Sequence, residues 1–138
     1  MELKKYGGVF SFDKEKTEEY YKNRDDSLCS CENCKYYYSH IKGMFPKLEE
    51  CLSDFGIDVE RPDHVGSVDL NGETRIFEAD YTVCGNLLSE KTDFKIDDEK
   101  GISVLFVKCS EPMYYFPNKQ NGDYFSLIVT GFRISRKW

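Results

Sequence analysis

Long apolar runs, basic tracts, histidine and proline are all scarce in this chain of 138 residues. No uninterrupted apolar stretch approaches the roughly 20 residues that a membrane-spanning helix needs, so no membrane association is expected. The opening residues, MELKKYGGVFSFDKE, lack the basic, then apolar, then small pattern of a secretory signal, which makes the cytoplasm the expected location. Four prolines are too few for a proline-rich linker. Lys and Arg number 19 against 25 Asp and Glu, for a net charge of −6, and both halves of the chain are acidic. Backbone-driven nucleic-acid binding needs concentrated cations, and the basic tail Arg133-Ile134-Ser135-Arg136-Lys137-Trp138 is too small to supply them. Nucleic acid is therefore not an expected partner. Any histidine-based mechanism would have to use His40 or His64, and no Gly-x-Ser-x-Gly, phosphate-loop or zinc-protease signature is present.

Aromatic side chains and thiols are plentiful by comparison. Ten Phe and ten Tyr argue for a packed core, and the length suits one domain. Six cysteines in a cytosolic chain of this size are more often thiols or ligands than a disulfide framework. Three of them, Cys29, Cys31 and Cys34, fall within six residues in the run SLCSCENCKYYY. Such a cluster has three readings. A zinc site would take Cys29, Cys31 and Cys34 with Cys51 as the fourth ligand, His40, Cys84 or Cys109 being the other candidates. His40 lies six residues past Cys34, roughly 120° round a continuous helix, which makes it a poor partner. A redox pair would use Cys31 as attacking and Cys34 as resolving thiol, activated by the helix N-terminus but opposed by the charge of Glu32. The plainest reading is packing, since free cysteine behaves as a small buried hydrophobe. No second CxxC supports the metal, and no βαβ opening supports a thioredoxin-like protein.

Periodicity divides the chain into a helical part at about 14–56 and a β part at about 65–134. Lys14–Lys22 suggests a short helix that buries Tyr20 and Tyr21. Cys34, Tyr37, Tyr38 and Ile41 recur on one helical face. Pro46 suits the first turn of the next helix, whose inner face is Leu48, Leu52 and Phe55 and whose stop is Gly56. Val65–Leu70 and Glu73–Val83 read as strands joined by a two-residue Asn71-Gly72 turn. Along the second of these, Phe77, Ala79, Tyr81 and Val83 alternate with Glu78, Asp80 and Thr82. Glu78 and Asp80 therefore read as ordinary solvated charges unless a cleft gathers them. Phe94–Ile96, Ile102–Val107 and Tyr124–Phe132 complete the β part, with Phe125, Leu127 and Val129 opposite Ile128 and Phe132. No spacing between strands holds a crossover helix. The expected fold is α+β, with an N-terminal helical hairpin packed on an antiparallel sheet of four or five strands.

Three phrases carry a resemblance: Cys29-Ser30-Cys31-Glu32-Asn33-Cys34, Phe45-Pro46-Lys47-Leu48-Glu49, and Phe55-Gly56-Ile57-Asp58-Val59-Glu60-Arg61-Pro62. Together they resemble a family of small uncharacterised bacterial proteins with a CxC-x2-C lead into a helix. The resemblance covers the middle third of the chain and implies no known activity, so it assigns no catalytic residue. The remaining functional signal is the aromatic stretch Met113, Tyr114, Tyr115 and Phe116, a candidate protein-binding patch. An acidic surface around it favours a basic protein partner. The expected function is a non-enzymatic interaction or accessory protein, without cofactor; zinc module and redox protein are the alternatives.

Overall fold

The computed structural model describes residues 1–23, 31–90, 92–108 and 123–135. In chain order these form β1 (Glu2–Lys5), β2 (Gly8–Phe12), α1 (Lys14–Asn23), α2 (Glu32–His40), α3 (Pro46–Phe55), β3 (His64–Asp69), β4 (Thr74–Leu87), β5 (Thr92–Asp97), β6 (Ile102–Lys108) and β7 (Tyr124–Ser135). The strands make one antiparallel sheet in the order β1-β2-β4-β7-β6-β5, with β3 also paired to β4.

Two features correct the expected architecture. The N-terminus is a β-hairpin, not a helical hairpin: Tyr6 and Gly7 both take positive φ (55° and 73°), the mirror-image turn that matches strand twist. The helices after it do not form a paired unit, because α2 lies against β3 while α3 lies against β5 and α1. The sheet also holds seven strands rather than four or five. The main reason is β4, which continues past Val83 through Gly85 to Leu87. Its fourteen residues carry two partners on one edge, β3 opposite Arg75–Asp80 and β2 opposite Gly85–Leu87.

Between those partners the β4 edge would be bare. Helix α1 fills it with side chains. The Tyr21 hydroxyl accepts from the Thr82 N–H and donates to the Thr82 carbonyl, both at 2.8 Å. Thr17 Oγ1 takes the Cys84 N–H at 3.0 Å, and the Asp13 N–H donates to the Cys84 carbonyl at 3.0 Å. Unpaired backbone groups in a buried edge are costly, so Thr17 and Tyr21, both essentially inaccessible, take the place of a missing strand.

Local signals explain the helix ends. Asp13 caps α1 through the Lys16 N–H, Pro46 opens α3, and Gly56 closes it at φ 82°. The β3–β4 connection is not the two-residue mirror turn that Asn71-Gly72 suggests, since Asn71 does not take positive φ. Instead Asp69 Oδ1 accepts from the Asn71 and Gly72 N–H groups, and Asn71 Oδ1 from those of Glu73 and Thr74.

The core lies between the helices and the inner sheet face. Phe55 of α3 sits at its centre, with ring centroids 5.0–6.2 Å from those of Tyr6, Phe10, Phe12, Phe106 and Phe125. Phe132 belongs to this core as well, although alternation places it on the face opposite Phe125, Leu127 and Val129. The pairing of β4 with β7 slips at Phe77/Glu78, so that Thr130 faces Glu78 and Phe132 faces Phe77, leaving Gly131 as the extra residue. That bulge turns Phe132 inward onto Tyr37 and Phe45.

Candidate functional site

Cys31 is exposed and caps α2, its Sγ accepting the Cys34 N–H at 3.5 Å. Cys34 is buried on the inner face of that helix. Cys51 lies elsewhere, beside the β1–β2 turn with Tyr6, Asp54 and Lys5, and burial pushes its thiol up to about 12. There the Tyr6 hydroxyl donates to Asp54, whose carboxylate also takes Lys5 Nζ at 3.1 Å. Burial works to raise the Asp54 pKa, but Tyr6 and Lys5 outweigh it and hold the carboxyl below its ordinary value. A metal would need its ligands on one small sphere. Among the described residues no three His, Cys, Asp or Glu side chains are so placed. Zinc binding through Cys31, Cys34 and Cys51 is thus corrected, because Cys31 is exposed while Cys34 and Cys51 are buried on helices that pack against different strands, β3 and β5. Cys29, Cys109, Met113, Tyr114, Tyr115 and Phe116 lie outside the described residues. His40 is exposed and stacks on Tyr36.

Accessibility separates the thiols. A thiol-reactive probe applied to the folded protein should modify Cys31 readily, whereas Cys34, Cys51 and Cys84 should react only on unfolding, as read by peptide mapping. Ready labelling of Cys34 in the native state would show that α2 opens.

The less ordinary chemistry is on the sheet's outer face. Strand alternation sends Glu78, Asp80 and Thr82 there, and register places His64 of β3 opposite Asp80 and Ser126 of β7 opposite Thr82. Asp63 precedes β3 and is tied in from three sides. Its N–H donates to the Asp80 carbonyl (2.7 Å), and its carboxylate accepts from Tyr20 of α1 (2.6 Å) and from Thr82 Oγ1 (2.5 Å). Asp80 is treated differently. Its Oδ1 is shut off from solvent with no hydrogen-bond donor, and no cation pairs with Asp80 or Glu78 among the described residues. Burial, reinforced by the charges of Glu78 and Asp63, raises the Asp80 carboxyl to about 7. Ser126 Oγ, on a residue only 1% exposed, is a second buried oxygen without a partner.

This arrangement has a measurable cost. Asp80 binds its proton more tightly folded, at about 7, than at its ordinary value of 3.8, so the stability it confers falls as pH rises between those values. The Asp80→Asn variant should therefore be more stable than the parent above pH ~8, by on the order of 1–3 kcal/mol after allowance for partial exposure. The gain should vanish near pH ~4. Urea midpoints of both proteins across that range would reveal it, and a pH-independent difference would mean that Asp80 is not the titrating group. The charged neighbours that raise it are Glu78 on β4 and Asp63.

A cleft of about 380 Å³ lies apart from these oxygens, walled by α1 and the end of α3 through Lys14, Glu18, Lys22, Ser53, Gly56 and Arg61. Its rim mixes both signs of charge, and Asp80 is not in its wall. Sequence alternation identifies the face shared by Glu78 and Asp80. It does not show that Asp63 and Ser126 join them, since that depends on pairings across the sheet.

No protein-family model, no curated protein and no solved structure matches the chain. No helix among the described residues is long and apolar enough to cross a membrane.

Proposed function

We propose that this protein is a non-enzymatic interaction protein that docks a basic protein partner on the outer sheet face around Asp63, Glu78 and Asp80. The observation that carries this reading is Asp80, a carboxylate half-withdrawn from water beside two like charges, whose Oδ1 has no hydrogen-bond partner and which pairs with no cation among the described residues. Folding gains nothing from that arrangement, so the return is expected from outside the chain. The net charge of −6 steers the same kind of partner by long-range attraction. A raised carboxyl is equally the mark of a general acid or base. Catalysis is less well supported, because the cleft lies away from Asp80 and a substrate needs walls on several sides.

Site-specific photo-crosslinking provides the test. A crosslinking residue at Glu78, which is exposed, should yield one discrete protein adduct in cells. The adduct should be lost when Asp80→Lys is added, and should not form from exposed Lys35 on α2. Equal yields from both positions would defeat the reading.

A further inference from the structure

We infer that this protein pairs with a second copy of itself through β5, the strand at one end of the sheet. The inference concerns a different surface from the acidic face above and does not depend on it. Among the described residues β5 pairs only with β6, so its far side presents backbone groups that another strand can take. The register with β6 slips between Lys95 and Asp97, which confines the regular part of this edge to residues 92–95.

Three residues of that stretch complement their own reverse. Asp93, Phe94 and Lys95 place an acid, an aromatic ring and a base in succession. When two such strands run antiparallel with Phe94 opposite the partner's Phe94, Asp93 faces the partner's Lys95 and Lys95 faces the partner's Asp93. Two opposite-charge pairs then flank one aromatic pair, and contacts of both kinds stabilise strand pairing. A shift of two residues either way sets Asp93 on Asp93 or Lys95 on Lys95. Charge therefore selects a single register. The three side chains are exposed, and neither Asp93 nor Lys95 makes an ion pair among the described residues.

The faces of the strand agree with this pairing. Phe94 lies opposite Val104, a core residue, and so projects to the helix side of the sheet. Asp93 and Lys95 lie opposite Leu105 and Ser103 and project to the outer side. The ring of Phe94 is held from within its own chain, since Tyr6 meets it edge-on at 5.7 Å. Beside it, Thr92 Oγ1 donates to the Gly7 carbonyl at 3.4 Å, which fixes the first hairpin turn against the start of β5. Phe94 nonetheless keeps 37% of its surface exposed, an apolar area already oriented for a partner. A two-fold axis through the Phe94 pair puts the helices of both copies on one side of a shared sheet. The common edge is short against the roughly 1,200 Å² of a stable interface, so the dimer should be reversible and half formed on the order of 0.1 mM.

Sedimentation velocity of the full-length protein between about 0.01 and 1 mM provides the test, with a shift from monomer to dimer expected across that range. Asp93→Lys alone and Lys95→Asp alone should each weaken association about tenfold or more, because each sets two like-charge pairs in the interface. An equal mixture of these two variants should associate as tightly as the parent, since each strand then faces its complement. The double variant, Asp93→Lys with Lys95→Asp, should dimerise by itself. Both positions are exposed, so circular dichroism of every variant should match the parent. Asp93→Lys also makes an acidic chain less negative, so general charge repulsion predicts tighter association for it, the opposite result. A parent that stays monomeric at about 1 mM would overturn the inference. So would a mixture no tighter than its components. Undiminished association of both single variants would also overturn it and move the contact to another surface, such as the edge of β1.

Discussion

Replacing Phe55 with alanine should destabilise the protein by about 3–5 kcal/mol, the range for emptying a large aromatic site in a packed core. Five aromatic rings from β1–β2, β6 and β7 meet this side chain, which has no exposed surface. It therefore joins α3, the first hairpin and the far strands in one contact. No neighbour can collapse into the space without leaving several others, which places the cost at the upper end. Thermal unfolding should show a fall in Tm of roughly 10–15 °C, scaled for a domain of this length. Phe55→Leu should recover more than half of the loss. A fall of only a few degrees for Phe55→Ala would mean that the helix layer closes over the gap.

Gly131→Ala should be comparably damaging for a different reason. The residue has φ 93°, and an added Cβ would lie 2.2 Å from the carbonyl oxygen of Gly101 in the β5–β6 turn. Backbone cannot yield as a flexible side chain does, so the bulge must flatten or the turn must move. Flattening would shift the strand by one residue, and one residue is enough to carry Phe132 out of the core. The expected loss is about 3 kcal/mol or more. It should appear as lowered stability together with changed near-ultraviolet circular dichroism from the displaced aromatics. Gly72→Ala is the control. Gly72 also has positive φ but meets nothing within 4 Å, so it should lose only about 1 kcal/mol.

Those two positions also mark where sequence reasoning works and where it stops. The inner face of α3 and its limits are legible because Pro46, Gly56 and the spacing of Leu48, Leu52 and Phe55 all act locally. The alternation of β4 from Phe77 to Val83 is equally plain. Gly131 breaks such alternation silently, since a bulge adds a residue without any change in composition, and Phe132 then reads as sharing the face of Ile128. The first hairpin is hidden for a similar reason. Its turn uses Tyr6 in a conformation usually left to Asn or Gly, and β1 is short and largely exposed. The expected strand ends at Val83, yet β4 continues through Gly85, where only a residue without Cβ fits against Ser11 and Phe12 of β2. The outer-face oxygens are the least legible. Glu78 and Asp80 look like solvated charges from their pattern, and only the packed structure shows that Asp80 Oδ1 and Ser126 are enclosed.

The seam where α1 stands in for a strand bears on how the chain assembles. Its hydrogen bonds join Tyr21 to Thr82 and Thr17 to Cys84, across 61 and 67 positions of sequence. Contacts so distant cannot form until the intervening chain has been gathered, and topologies rich in them fold in milliseconds to seconds. The first hairpin joins β4 beyond this seam, so its amides should be the last to gain protection from hydrogen exchange during refolding. Until then the edge of β4 stays open to pairing with other chains, and refolding yield should fall as protein concentration rises.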